Sequence, residues 1–431
     1  MKKKKKLNIA IIGLGNIGSY LYRYLNINKK QLFKKTNVIP HVLCVSARNK
    51  NKKRNFKIKK SMWLKNYIDA AKSKEIDLII ELIGGAEGPA KKLVFSALKN
   101  KKHVVTANKA LISKHGDELS KIAEKNNVNL EFEAAVCGGV PIIRSIKESL
   151  IANNIKSVYG IFNGTSNYIL SSMDKDNLSF NEALTKAKEL GYSETNPKSD
   201  LNGADVSSKL KILSSLCFNS YINNNVYVEG INEVDHIDIS NANKLGYKIK
   251  LLGLSELKNN KVTQRVHPCL VKKSSYIGSI DGVLNAVIVN GTPVGQSIIQ
   301  GEGAGPEATT SALVSDISSI LRGNIKYPFS ISDKERKYIK FESLKNQNFS
   351  AYIRLDVKDK HGVLSNITKS FANHKVSIKR LIQNPFKSKK YSSITIITHL
   401  AKDINLMKTI KQLANKNYII STPKLIRIEN R

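Results

Sequence analysis

Leu7-Asn8-Ile9-Ala10-Ile11-Ile12-Gly13-Leu14-Gly15-Asn16-Ile17-Gly18 is the stretch on which the fold turns. A short apolar run stops at a glycine, and residues 19–25 then read as a helix. Strand, glycine turn and helix is the setting in which GxGxxG carries meaning. Gly13 permits the tight turn, Gly15 lets a pyrophosphate approach the backbone, and Gly18 lets helix and strand pack closely. Phosphates would rest on the helix N-terminus, at Gly15, Asn16 and Ile17. The plain alternative is a glycine turn that holds nothing.

Working outward, further strands are expected at 38–45, 76–82, His103–Thr106 and 130–134, with helices at 62–72, 89–100 and 116–126. This alternation predicts a Rossmann-type, doubly wound parallel sheet over residues 1–135, completed by about 305–325. Residues 136–304 read as an α+β domain with a mostly antiparallel sheet. It has helices at 142–150, 181–190 and 206–217, and strands at 157–162, 261–270 and 282–289; a long helix follows at 308–322. A polar junction is expected at 325–347. Residues 348–431 then run βαββαβ, the ferredoxin-like order.

A chain of 431 residues needs two or three cores. No apolar run reaches the roughly eighteen residues of a membrane span. The 71 basic and 34 acidic residues leave +37, which raises the question of nucleic acid. The charge is spread evenly, however, and Lys far outnumbers Arg, so it reads as solvated surface and nucleic-acid binding is not expected. Lys2 to Lys6 lead directly into a strand, without an apolar signal segment. The four cysteines lack CxxC spacing and the eight histidines lack HxH or HExxH spacing. That fits a reducing cytoplasm and gives no sign of a zinc site.

After the second strand an NAD site usually shows a carboxylate for the ribose. Here the chain reads Ser46-Ala47-Arg48-Asn49-Lys50 and continues through Lys52, Lys53 and Arg54. Cations without a carboxylate favour NADP(H) over NAD(H), with Arg48 as the expected 2′-phosphate contact.

Five ordered segments carry a resemblance: Val105-Thr106-Ala107-Asn108-Lys109-Ala110, Glu133-Ala134-Ala135-Val136-Cys137-Gly138-Gly139-Val140-Pro141-Ile142, Gly160-Ile161-Phe162-Asn163-Gly164-Thr165-Ser166-Asn167-Tyr168-Ile169-Leu170, Gly191-Tyr192-Ser193-Glu194 through Lys209, and Gly301-Glu302-Gly303-Ala304-Gly305. The chain resembles homoserine dehydrogenases of the single-function type with a C-terminal ACT domain. That resemblance implies interconversion of L-aspartate 4-semialdehyde and L-homoserine with NAD(P)H, in threonine, methionine and isoleucine biosynthesis. Aldehyde reduction needs a positioned acid for the developing alkoxide. Asp205 and Lys209 stand four apart and share a helix face; alone, such a pair is usually a surface bridge. The resemblance makes Lys209, Lys109 and Asp205 the catalytic group, with either lysine as proton donor. It places Glu194 on the substrate ammonium, Asp200 as a further polar contact, and Gly164 and Thr165 against substrate and nicotinamide. Gly303 becomes a backbone contact to the cofactor, and Lys109 lies beside the nicotinamide. It also implies a sodium ion on the carbonyls of Glu133, Val136, Gly138 and Val140, and a homodimer or homotetramer.

Asp359-Lys360-His361-Gly362-Val363-Leu364 resembles the DxPGVL signature of ACT domains, with histidine in place of proline. With Asn366 and Gln383 it marks an expected effector site, and threonine is the ligand that analogy suggests. A dimerisation module without ligand is the alternative. Two other functions stay open: a different amino-acid semialdehyde or hydroxy-acid oxidoreductase, and an amino-acid sensor that kept the scaffold. An aspartate-semialdehyde dehydrogenase would need a reactive thiol. Cys137 is the candidate, and no histidine stands convincingly beside it in the sequence.

Overall fold

The computed structural model describes residues 5–385 and 390–429; Lys2, Lys3 and Lys4 of the lysine run lie outside the described residues. β1 (Lys6–Ile12), β2 (Ile39–Ser46), β3 (Leu78–Glu81), β4 (His103–Thr106) and β5 (Leu130–Glu131) form a parallel sheet in the order β2-β1-β3-β4-β5. Near-continuous apolar strands are what a sheet covered on both faces requires. Ile9, Ile11, Leu78 and Ile80 pack with Leu21, Leu25 and Leu313 on one face. Ala10, Ile12, Ile79 and Val104 pack with Leu93, Leu98, Leu111 and Leu119 on the other. Leu313 belongs to the helix Pro306–Leu321, which returns to this sheet after the central domain. The chain leaves β1 for β2, then crosses back to β3. The carboxyl ends of β1 and β3 therefore flank the crevice where open α/β sheets take ligands.

The helix expected over 62–72 is replaced by a short turn, Lys60–Met62, and a brief helix, Asp69–Lys72. Between them Trp63 bridges to Val45, and Leu64 N donates to Val45 O at 3.0 Å, so this backbone extends the sheet instead. A helix not foreseen, Lys29–Thr36, buries only Leu32 and Thr36, too little apolar surface to show a period. The helix expected over 142–150 starts at Ile142–Arg144 and widens into a π turn at Ser145–Ser149.

The remaining strands are β6 (Asn154–Ile161), β7 (Tyr227–Val228), β8 (Tyr247–Lys258), β9 (Lys261–Lys272), β10 (Leu284–Thr292), β11 (Gly295–Glu302), β12 (Lys340–Phe341), β13 (Asn348–Lys358), β14 (Ile378–Pro385), β15 (Tyr391–Thr398), β16 (Ala401–Lys402) and β17 (Lys424–Glu429). They make one twelve-stranded sheet along β11-β10-β6-β8-β9-β17-β13-β15-β14. The central and terminal sheets read from the sequence are thus a single surface. Arg427, Ile428 and Glu429 of β17 pair in parallel with Cys269, Leu270 and Val271 of β9. Consecutive buried residues from Ile426 to Glu429 show why: β17 is covered on both faces and cannot serve as an exposed edge. β8 escaped the sequence reading because Lys248 and Lys250 interrupt its apolar run. Asp281 accepts both ammoniums, at 2.8 and 2.9 Å. Among the described residues no helix is long and apolar enough to cross a membrane.

Two buried arginines fasten the parts together. Arg336, in the junction, lies 4.8 Å from the Tyr221 ring and 4.2 Å from the Phe329 ring. It binds Asp117 of the helix Lys109–Lys125 at 2.6 Å and Ser215 of the helix Ala204–Cys217 at 2.9 Å. The junction is therefore a strap across two domains. Arg354 of β13 grips Asp238 of the helix His236–Lys244 through Nε at 2.7 Å and Nη2 at 3.2 Å. Replacing Asp238 by alanine would leave that buried guanidinium short of its bidentate partner. Asp238→Ala is expected to lose about 3–5 kcal/mol of stability in urea denaturation; a loss under about 1 kcal/mol, the scale of a surface pair, would contradict this role.

Candidate active site

Each site residue is delivered by the end of a strand or the start of a helix. β4 ends at Thr106, and Asn108 caps the next helix, its Oδ1 accepting from Leu111 N at 3.1 Å. Lys109 is that helix's first residue. β6 ends at Ile161, and Asn163 caps the helix Gly164–Lys175 by accepting from Ser166 N at 2.8 Å. The amide of the same Asn163 donates to Asp200 at 2.7 Å and to Asp205 at 2.8 Å. Gly203 makes a left-handed turn (φ 82°) into the helix Ala204–Cys217, which carries Asp205 and Lys209 one turn apart.

Asp205 is where these elements converge. Its Oδ2 lies 2.8 Å from Lys209 Nζ and its Oδ1 lies 3.0 Å from Lys109 Nζ. Lys209 also donates to the carbonyl of Phe162 at 2.6 Å. Lys209 and Asp205 are buried, whereas the side chain of Lys109 is 43% exposed and forms the open end of the cluster. Burial opposes the charge on Asp205, but Lys209 and then Lys109 outweigh it and hold its pKa below the usual carboxylate range. Burial opposes the charge on Lys209 as well, and Asp205 overcomes it, so the ammonium pKa is raised. Asp200 goes the other way: burial, then the charge of Asp205, raises its pKa. The result is an ionised carboxylate between two lysines, beside a second carboxyl whose pKa is shifted in the opposite direction.

Glu194 stands exposed on the loop between the helices Phe180–Glu189 and Lys198–Leu201. Thr165 holds that loop, its hydroxyl donating to Tyr192 O at 2.6 Å. Gly164 has no room for a side chain: a Cβ there would come 2.6 Å from Val283 O.

At the other end, Gly13 (φ 111°) donates to Ser46 O at 2.9 Å, and a Cβ on Gly18 would meet Gly13 O at 2.0 Å. A Cβ on Gly15 would meet nothing within 4 Å. Gly15 leads into the helix Asn16–Ile27 without a side-chain cap, so the first amides, including those of Asn16 and Ile17, stay available to an anion. The turn therefore fits a dinucleotide pyrophosphate. A cavity of about 280 Å³ beside it is lined by Gly15, Asn16, Arg23, Lys52, Lys53 and Arg54, among others. Arg54 stacks 5.3 Å from the Trp63 ring and donates from Nη2 to Leu14 O and Asn49 O at 3.3 and 3.1 Å and from Nη1 to Lys50 O and Lys52 O at 3.1 and 2.9 Å, so its fork fastens the basic loop to the glycine turn. Arg48 is exposed and lies outside that lining. Arg54 was passed over because nothing separates one cation from another in a basic run; Trp63, its stacking partner, was the available signal.

Glu81 is a second omission. Fully buried at the end of β3, it accepts from Thr106 Oγ1 at 2.5 Å, Ile83 N at 2.7 Å and Gly84 N at 3.0 Å. Asn108 donates to Gly85 O at 2.8 Å, which ties the same loop to the base of Lys109. A lone carboxylate closing an apolar strand was the clue.

The hinge loop and the GxGAG turn form one piece. Gly139 N donates to Glu302 O at 3.0 Å, and a Cβ on Gly138 would sit 2.5 Å from Gly303 O. Gly303 in turn lies against Asn285, which is fully buried with neither side-chain polar atom bonded. The carbonyls of Glu133 and Val140 already accept from Val136 N and Ile142 N. Among the described residues none donates to the carbonyls of Val136 and Gly138, so half of the expected cation ligands are unengaged. The Glu133 carboxylate caps Ile143 N and Arg144 N, and burial pushes it up to about 7. Cys137 is fully buried and its thiol is pushed up to about 11 by that burial, the wrong direction for a nucleophile.

Three potential metal ligands not paired by the sequence, His267, Cys269 and Glu429, do meet across β9 and β17. Arg265 holds Glu429 at 2.8 Å, however, and burial with Arg427 and Arg265 keeps His267 well below its ordinary pKa, so cations already occupy this seam. In the terminal unit Asp359 accepts from Ser392 at 2.6 Å. Val363 is buried, whereas Gly362, Leu364, Asn366 and Gln383 are exposed.

A pH dependence follows from Asp205. Its folded pKa lies below the unfolded value of about 3.9, so the native state binds fewer protons than the unfolded chain between the two. The stabilisation is present above the unfolded value and fades as pH falls towards the folded one. Urea denaturation from pH 5 downward should show a shallower loss of stability for Asp205→Asn than for the native chain; identical slopes would refute the ionised carboxylate.

The family description "Homoserine dehydrogenase, NAD binding domain" matches residues 13–133, "Homoserine dehydrogenase" matches 141–318, and "AHAS small subunit-like ACT domain" matches 353–421. The homoserine dehydrogenase of Helicobacter pylori is 36% identical over 99% of this chain and 100% of its own, and that of Bacillus subtilis 31% over 99% of both. A homoserine dehydrogenase crystal structure from Thiobacillus denitrificans superposes with a TM-score of 0.92 at 34% identity, covering 99% of both chains. With the Lys109–Asp205–Lys209 cluster in place between a dinucleotide-binding sheet and an α+β domain, the chain belongs to the homoserine dehydrogenase family.

Proposed function

We propose that this protein interconverts L-aspartate 4-semialdehyde and L-homoserine, with NADP(H) preferred over NAD(H). The observation that carries the reading is the shared carboxylate of Asp205, which aims one ammonium from the nucleotide-binding sheet and one from the central domain at a common point. Bound nicotinamide supplies the hydride for the aldehyde carbon or accepts it from the alcohol. The protein's own task is the oxygen. An ammonium has three donors; Lys209 uses one on Asp205 and one on Phe162 O, which leaves one for a substrate oxygen. Its raised pKa keeps it charged, so it stabilises a developing alkoxide and then yields a proton. Lys109, the exposed member, is the alternative donor. Asp205 orients both. Glu194, exposed on its loop, is read as the partner of the substrate ammonium, and Asp200, held by Asn163, as a further polar contact.

The preference for NADP(H) is read from the cations that follow β2, with Arg48, exposed at the end of that strand, as the 2′-phosphate contact. A sodium ion, if taken up, would use the carbonyls of Val136 and Gly138 and brace the hinge loop. The surface of Asp359, Gly362, Val363, Leu364, Asn366 and Gln383 is read as an effector site, with threonine as its ligand. No described strand pairs the outer side of β11, which supports self-association to a dimer or tetramer through this edge.

Near-ultraviolet absorbance of the reduced cofactor tests the reaction with purified protein and L-homoserine. Lys209→Ala is expected to lower kcat by about 10²–10⁴, the range for a lost general acid or base. Full activity in that variant, or no turnover by the folded native chain in either direction, would overturn the assignment. Arg48→Ala should raise KM for NADP⁺ by about tenfold, the scale of one charge-assisted bond, and leave KM for NAD⁺ nearly unchanged. An unchanged KM for NADP⁺ in that variant would remove Arg48 from the 2′-phosphate.

A further inference from the structure

Glu81 closes β3, the central strand of the parallel sheet, and is fully buried. A carboxyl group taken out of water is costly unless it is hydrogen-bonded. Among the described residues no cationic side chain pairs with it, and three uncharged donors hold it instead. Oε1 accepts from Ile83 N at 2.7 Å and Gly84 N at 3.0 Å, and Oε2 accepts from Thr106 Oγ1 at 2.5 Å. The neighbouring β1 ends on an apolar residue, Ile12, so an acid is not what the sheet itself requires.

These bonds belong to a closed circuit. A threonine hydroxyl has one proton, and Thr106 spends it on Glu81 while its oxygen accepts from Asn108 N at 3.0 Å. Asn108 Nδ2 donates to Gly85 O at 2.8 Å, and from Gly85 the chain runs back through Gly84 to Glu81. Lys109 leaves the circuit directly, as the residue after Asn108 and the first of its helix. On the opposite side the glycine turn presses on the Leu82–Ile83 peptide. A Cβ on Gly13 would fall 2.4 Å from Leu82 O and 3.0 Å from Ile83 N, the same amide that donates to Glu81. Glu81 thus stands between the turn that fits a pyrophosphate and the lysine that meets Asp205 at 3.0 Å.

We propose that Glu81 is a positioning residue for Lys109: it fixes the base of that side chain against the glycine turn and so sets the reach of the ammonium to Asp205 and the substrate oxygen. Glu81 touches neither substrate nor dinucleotide, and its place in catalysis rests on the reaction proposed above. The need for it is physical. Lysine carries its charge on a flexible four-carbon stem, and the side chain of Lys109 is 43% exposed, so packing does little to direct it. A fixed base leaves fewer places for the charge to go.

A double-mutant cycle separates positioning from simple structural support. Glu81→Gln, which keeps the shape but offers Thr106 a donor, should lower kcat for L-homoserine about tenfold, the scale of a misplaced catalytic group, with KM for NADP⁺ held within about twofold. Thr106→Val should do the same, and it carries the test if Glu81→Gln does not fold; Thr106→Ser, which keeps the hydroxyl, should recover most of the loss. In a Lys109→Met background Glu81→Gln should cost less than about twofold more. A loss in that background as large as in the native one, native kcat in the single variants, or a Thr106→Ser chain as slow as Thr106→Val overturns the proposal. Crystal structures of the native chain and of either slow variant read the same claim without turnover. Lys109 Nζ is expected to move beyond ion-pair reach of Asp205, about 4 Å, and a contact retained at its native length overturns the positioning role. Failure of the native chain to turn over homoserine would fall on the reaction and leave this structural comparison standing.

Discussion

One carboxylate holds the site together. Asp205 is buried between Lys209, on its own helix, and Lys109, which caps the carboxyl edge of the parallel sheet. Burying an isolated ion in a protein costs several kcal/mol, and a lone lysine in the place of Lys209 would shed its proton. The shared carboxylate reverses that outcome for Lys209 and keeps it charged at the place where an alkoxide must be stabilised. Asn163 adds a constraint on geometry, because a single amide group spans Asp200 and Asp205. The two carboxyls are thereby held side by side with their pKa values moved in opposite directions, Asp205 down and Asp200 up.

The scaffold serves that constraint from several directions. Glu81 fastens the loop after β3 to the end of β4, where Asn108 and Lys109 begin their helix. Arg336 straps the junction to both the Lys109 helix and the Lys209 helix, so the two lysines are carried by elements with a common brace. The continuous sheet through β9 and β17 makes the terminal unit part of the same body.

Much of this was legible in the residues. The alternation of apolar strands with helices defined the parallel sheet because both its faces are covered. The spacing of Asp205 and Lys209 put them on one face, whereas the helix that begins at Lys109 was expected only from residue 116, because the cap at Asn108 went unread. Pairing between strands distant in sequence was not legible: β17 shows only that it is buried on both faces, never that β9 is its neighbour. β8 was hidden by Lys248 and Lys250, whose partner Asp281 lies far along the chain. The helix expected over 62–72 failed for a related reason, since Trp63 bridges to β2 and only tertiary pairing could reveal it.

The most direct measurement is a crystal structure of the ternary complex with NADP⁺ and L-homoserine. The account predicts the hydroxyl oxygen of homoserine within hydrogen-bond reach of Lys209 or Lys109, with Asp205 still joined to both. A hydroxyl seated away from both ammoniums, or a cluster in which Asp205 releases one lysine to an unrelated partner, would contradict it.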